Sequence, residues 1–200
     1  MTSKVIKLSK ALENGISFSC KLCGDCCRGH DEGEVYLYME DIKKLVKFLN
    51  LKGRSRLKDF AQKYLKAVDQ TFYYKDPGAQ KGKNYRFKTL AFKFEGEDEH
   101  CNFLVGNECS VHEARPFQCQ CFPFWQMMVE SQKNLIDYSK KCPGLKKSLE
   151  NEGKHYSREE IVAWALKEYE MEETYFLELK KKDFNIYKVY PFLPDDFIKE

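Results

Sequence analysis

The chain has 200 residues, 42% hydrophobic and 32% charged, with 34 basic against 31 acidic side chains and a net charge of +3. That length suits one domain, or one with an appendage, and its core needs no stapling cross-links. So balanced a charge makes no electrostatic case for nucleic acid or an anionic membrane, and leaves a protein partner open.

In chain order, the opening "MTSKVIKLSKALENGISFSC" lacks the continuous apolar core of a secretory signal. Nothing later approaches the ~18 uninterrupted apolar residues of a membrane span. Both point to the cytoplasm, where thiols stay reduced. The stretch "FSCKLCGDCC", residues 18–27, holds Cys20, Cys23, Cys26 and Cys27 and runs into the polar loop "RGHDEGE". "VYLYM" then reads as a short alternating strand that turns into a helix over roughly residues 40–50, broken at Gly53. A second helix carries Leu57, Phe60, Ala61, Tyr64, Leu65 and Val68 on one apolar stripe of period 3.6. After a turn at residues 75–84, Tyr85, Phe87 and Thr89, then Phe92 and Phe94, alternate with polar neighbours as in a strand. "FWQMMVE" and "LIDYS" flank the polar "SQKN", which predicts a hairpin. Ser157 and Glu160 stand as a capping box before the longest helical signal. Lys180, Lys181 and Lys182 close that helix where its dipole favours cations, and an irregular tail follows. Helices and short strands without βαβ alternation define an α+β class.

Four thiols in eight positions answer no packing or turn requirement. Nine cysteines is an odd number, at a density below that of disulfide-built secreted scaffolds. Clustered reduced thiols are more often metal ligands or redox centres than bridges. Thiolate is a soft ligand that suits zinc, copper(I) or the iron of iron–sulfur clusters. Two cysteines separated by two residues chelate one metal across a tight turn, the spacing of Cys20–Cys23 and Cys23–Cys26. Gly24 supplies the positive φ such a turn often needs. Cys27 is different: neighbouring side chains diverge, so Cys26 and Cys27 are expected to serve two ions or one multinuclear centre. Further ligands must come from Cys101, Cys109, Cys119, Cys121 and Cys142. Eight of the nine thiols complete two four-ligand sites, whereas one [4Fe–4S] cluster leaves five over. The count leans toward two centres without naming the metal.

On these residues the chain resembles the YkgJ-type cysteine-cluster family, described as a zinc- or iron-chelating domain with a CxxCxxCC signature. The matching stretches are "FSCKLCGDCC", "VYLYMEDIKKL" and "CNFLVGNECSVHEARPFQCQCFPF", with "CPG" at the family's last cysteine. They cover roughly residues 18–145. The resemblance implies metal binding. Through a branch similar to flagellin lysine methylases it also implies an iron–sulfur centre, so whether the chain is an enzyme stays open. Cys121 occupies a position the family does not usually give to cysteine, which leaves Cys20, Cys23, Cys26, Cys27, Cys101, Cys109, Cys119 and Cys142 as the expected ligands. His112 stands where the family usually has Tyr, and is read as a substituted packing position rather than a ligand.

Three functions are compatible with these residues: a zinc-stabilised binding module, an iron–sulfur protein for redox chemistry or protein lysine N-methylation, and a metal chaperone or sensor with an exposed site. A thiol–disulfide oxidoreductase lacks its usual βαβ context here. Arg115 is expected to brace carbonyls of the metal loops or pair with Glu113 rather than to bind an anion. His30 and His100 are read as solvated, and His155 as part of the start of the final helix. Asp31, Glu32, Glu97, Asp98 and Glu99 are read as loop solvation, because no partner constellation makes them general acids. The expected organisation is a metal-binding domain over residues 1–145, with a helix and irregular tail at 146–200 packed on it. The small sheet and surrounding helices are organised around cysteine-ligated zinc or iron.

Overall fold

The computed structural model describes residues 4–28, 33–96, 99–148 and 151–198, so His30, Asp31, Glu32, Glu97 and Asp98 lie outside the described residues. A 3-10 turn at Lys10–Leu12 precedes β1 (Ile16–Phe18), and the cysteine-rich stretch after β1 folds into a second 3-10 turn at Asp25–Cys27. Next come β2 (Tyr36–Leu37), α1 (Met39–Phe48), α2 (Arg56–Tyr64) and the long strands β3 (Leu65–Tyr74) and β4 (Lys83–Phe92). Two ribbons follow, β5 (Phe94–Glu95) with β6 (His100–Cys101), and β7 (Leu104–Val105) with β8 (Glu108–Cys109). Then come α3 (Phe117–Cys121), α4 (Gln126–Val129), α5 (Gln132–Ser139) and α6 (Pro143–Ser148). The chain closes with β9 (Lys154–Tyr156), α7 (Arg158–Lys181) and α8 (Ile186–Val189). The class is α+β. Among the described residues no helix is long and apolar enough to cross a membrane.

Two compact units are woven from alternating stretches, residues 1–33 with 94–170, and residues 34–93 with 171–200. In the first, β1 pairs antiparallel with β9, Ser17 opposite His155. Phe18 anchors the core, its ring 6.0 Å from Phe122 and 6.5 Å from Phe124, among buried Leu12, Met128, Leu145 and Ile161. The capping box forms at the start of α7. The Ser157 N–H donates to Glu160 Oε2 at 2.8 Å, and the Glu160 N–H donates to Ser157 Oγ at 3.2 Å.

The hairpin expected between "FWQMMVE" and "LIDYS" is instead α4 and α5. Ser131 caps α5, its Oγ accepting from the Asn134 N–H at 3.2 Å. The polar "SQKN" is therefore a helix start. Met128, Val129 and Leu135 turn into the core from these two helices.

In the second unit the sheet order is β2-β4-β3, antiparallel throughout. The expected helical stripe stops at Tyr64. Leu65 starts β3, and Val68 lies in that strand opposite Thr89. The aromatic, β-branched run after it favours a strand, and pairing with β4 from Leu65↔Phe92 to Tyr74↔Lys83 decides the matter. The C-terminal part of α7 covers the sheet with rings: Phe176 lies 4.9 Å from Phe72 and 5.2 Å from Tyr85. The tail is less irregular than expected, since α8 buries Ile186 and Val189 under the cap of Asn185. Tyr190 beyond it is fully buried, 5.8 Å from the Tyr175 ring.

One polar pair interrupts this apolar packing. Gln70 on β3 is only 7% exposed, and its Nε2 donates to Glu172 Oε1 at 2.7 Å. Its Oε1 is buried without a partner among the described residues. Burial pushes the Glu172 carboxyl up to about 7, against the pull of the Gln70 hydrogen bond. The folded protein thus keeps a proton that the unfolded chain gives up near the ordinary value of 4.5. Stability therefore falls as pH rises through that window and levels off above it. Glu172→Gln removes the titration and offers an N–H to the orphaned Gln70 oxygen. Urea unfolding should show the parent losing about 2 kcal/mol relative to the variant between roughly pH 5 and pH 8; parallel pH profiles would refute it.

Candidate metal centre

Three backbone contacts bring the cysteine segments together. Arg28, next to Cys27, forms an antiparallel bridge with His100, next to Cys101. The Arg28 guanidinium donates to Asn107 Oδ1 at 3.2 Å and reaches Gly106 O at 3.5 Å, in the β7–β8 turn. Gly24, at φ +79, lies against that same turn, where a Cβ would stand 3.1 Å from Asn107 O and from a Leu104 methyl. At the other end of the cysteine stretch, α6 lies along β1, and a Cβ on Gly144 would stand 2.7 Å from Ser19 O. That contact sets Cys142, just ahead of α6, close to Cys20 and Cys23. Cys119 and Cys121 are carried on α3, braced by Gln120 Nε2 donating to Arg115 O at 2.7 Å.

A repeated local geometry marks five of these thiols. The Leu22 N–H donates to Cys20 Sγ at 3.5 Å, two residues along the chain. The same step puts the Asp25 N–H on Cys23, the Phe103 N–H on Cys101 and the Val111 N–H on Cys109. Cys142 accepts from Gly144 and Leu145. Each donor favours the thiolate. Burial opposes them, pushing Cys23 and Cys101 up to about 11 and raising Cys109 and Cys142. Burial raises Cys119 well above the usual thiol range, helped by the charges of Cys26, Cys101 and Cys109.

Cys26 and Cys27 do not diverge as expected. The 3-10 turn curls them together, and the hydrogen bond between their thiols is the largest influence raising Cys26. Cys26 lies within electrostatic reach of Cys101, Cys109, Cys119 and Cys142, and Cys20 within reach of Cys109 and Cys142. They stand wider apart than coordination: among the described residues no group of three or more His, Cys, Asp or Glu is poised to hold a metal ion. In donor type the set fits a thiophilic metal, because soft sulfurs converge from four segments and five carry thiolate-favouring donors. Cys20 and Cys26 are exposed, whereas Cys101 and Cys121 are buried. Cys121 behaves differently again, its Sγ donating to Gln118 O at 3.4 Å as a neutral thiol does.

Arg115 differs from its expected role. Its Nη1 donates to His112 Nε2, and its charge lowers Cys26 and Cys109. With that nitrogen taken, and with burial and Arg115 pulling its pKa down, His112 is a neutral acceptor. His100 is half-buried in β6 opposite Glu95 rather than solvated. Sequence reasoning overlooked Arg28 and Asp25. Asp25 had a signal in its place between Gly24 and Cys26; for Arg28 the only signal was adjacency to Cys27.

A family model described as "Putative zinc- or iron-chelating domain" matches residues 19–186. Both of its metals are among those that suit thiolate ligands. No solved structure matches the chain.

Gly144 offers a check on the scaffold. In a helix, Gly→Ala ordinarily stabilises by up to about 1 kcal/mol. Here the added methyl meets Ser19 O and the Phe18 ring, so Gly144→Ala should instead cost about 1–3 kcal/mol in thermal or urea unfolding. A gain in stability would show that α6 and β1 do not approach so closely.

Proposed function

The chain belongs to the CxxCxxCC family, and from that membership we propose that it holds its zinc or iron through thiolates of Cys20, Cys23, Cys26, Cys27, Cys101, Cys109, Cys119 and Cys142. The observation that carries this reading is the run of backbone N–H donors aimed at sulfur two residues upstream. Such donors have little purpose for neutral thiols and offset part of the cost of ionised ones. Cys121 stays outside the set, because its thiol acts as a donor in a fully buried place. The paired thiols of Cys26 and Cys27 favour a multinuclear centre that takes both, over two separate ions. Bound zinc would tie the four segments without redox chemistry, while an iron–sulfur centre would add one-electron transfer. The protein's part is to orient the sulfurs, to supply the Arg115 charge beside Cys26 and Cys109, and to shield the buried members from water.

A second reading, a metal chaperone or sensor, is favoured by the exposure of Cys20 and Cys26, which would leave one side of the centre open to exchange. In that case a chelator should strip metal without unfolding the protein.

Anaerobic purification followed by elemental analysis and a visible spectrum tests the main reading. Stoichiometric zinc, or iron with acid-labile sulfide, is expected. Cys27→Ser should lose metal, and Cys121→Ser should keep it. A folded parent without either metal defeats the reading; the reverse pattern in the two variants defeats the ligand assignment alone.

A further inference from the structure

The net charge of +3 conceals a partition. Residues 34–93 with 171–200 carry 20 Lys and Arg against 13 Asp and Glu, whereas the thiol-bearing unit carries 14 against 18. The excess is concentrated in α1, α2 and the turn between them. From residue 43 to residue 63 there are eight basic side chains and one acidic, and all eight basic ones are exposed. The one acid, Asp59, accepts from Ser55 Oγ at 2.8 Å. Lys43 pairs with Glu40, and Arg56 donates to Gly53 O. Lys44, Lys47, Lys52, Arg54 and Lys58 form no ion pair among the described residues. The turn is open, for nothing lies within 4 Å of where a Cβ on Gly53 would stand. Phe48, between Lys47 and Lys52, is 45% exposed.

An amphipathic helix needs polar residues on its outer face, but of either sign. Charge of one sign at this density repels itself, and a polyanion relieves that repulsion. We propose that the α1–α2 hairpin is a docking surface for a nucleic-acid strand, its cations meeting phosphates and Phe48 offering its ring to a base. A lipid surface fits less well. Membrane-lying helices present an apolar face, and between residues 40 and 63 Phe48 is the one large apolar side chain that is exposed.

The test is fluorescence anisotropy of a labelled single-stranded RNA with the full chain. Binding should weaken about tenfold or more between ~50 and ~200 mM salt. Combined Lys52→Glu, Arg54→Glu and Lys58→Glu should weaken it at least about tenfold, and Phe48→Ala several-fold. Lys10→Glu, Lys133→Glu and Lys154→Glu together, in the other unit, should change it less than about twofold. Should circular dichroism show the first triple variant unfolded, Lys52→Gln alone must reduce the salt dependence. Absence of binding at low salt, equal losses in the two triple variants, or preference for phosphatidylserine vesicles over RNA would each overturn the proposal.

Discussion

Backbone N–H groups pointed at sulfur are the interaction on which the thiol-bearing unit depends. Withdrawal from water drives a thiol toward its neutral form, and several thiols side by side drive one another the same way. Peptide dipoles two residues downstream of Cys20, Cys23, Cys101, Cys109 and Cys142 work against both effects. At Cys23, Cys101, Cys109 and Cys142 burial still prevails, so the donors ease ionisation without achieving it unaided. A soft cation would supply the missing stabilisation, since it takes the proton's place and also cancels the mutual repulsion of the thiolates.

Such a balance requires the segments to meet within tight limits, and side-chain size sets them. At Gly24 and Gly144 backbone comes close to backbone, one against the β7–β8 turn and the other against the end of β1. Arg28 adds side-chain bonds to the same turn from the opposite flank of the cysteine stretch. Arg115 lends its charge to Cys26 and Cys109, and its contact with His112 explains why that histidine makes a poor ligand.

The CxxCxxCC signature was legible in the sequence because its cysteines recur at a fixed short spacing, and so was the capping box, whose two partners lie three residues apart. The N–H donors were not, because any residue but proline supplies one; Leu22, Asp25, Phe103 and Val111 share no chemistry. Residues 124–139 misled for a related reason: short apolar runs around a polar tetrapeptide fit a hairpin and a pair of short helices equally well, and only the Ser131 cap distinguishes them. Val68 extended a helical stripe by periodicity alone, yet long-range pairing with Thr89 outweighs local pattern. The partition of charge was hidden by averaging, because the total sums over two units of opposite sign. The proton held at Glu172 was hidden as well, since nothing local marks one acid in a Glu-rich helix as buried.

The interleaved path of the chain fixes an order of events during synthesis. Cys20 to Cys27 leave the ribosome first, and the whole of residues 34–93 follows before any of the later cysteines exists. Until Cys101 emerges, the early sulfurs have only one another as neighbours, free to exchange or oxidise. A nascent chain of this design therefore carries its first four thiols unaccompanied for as long as translation of its middle lasts.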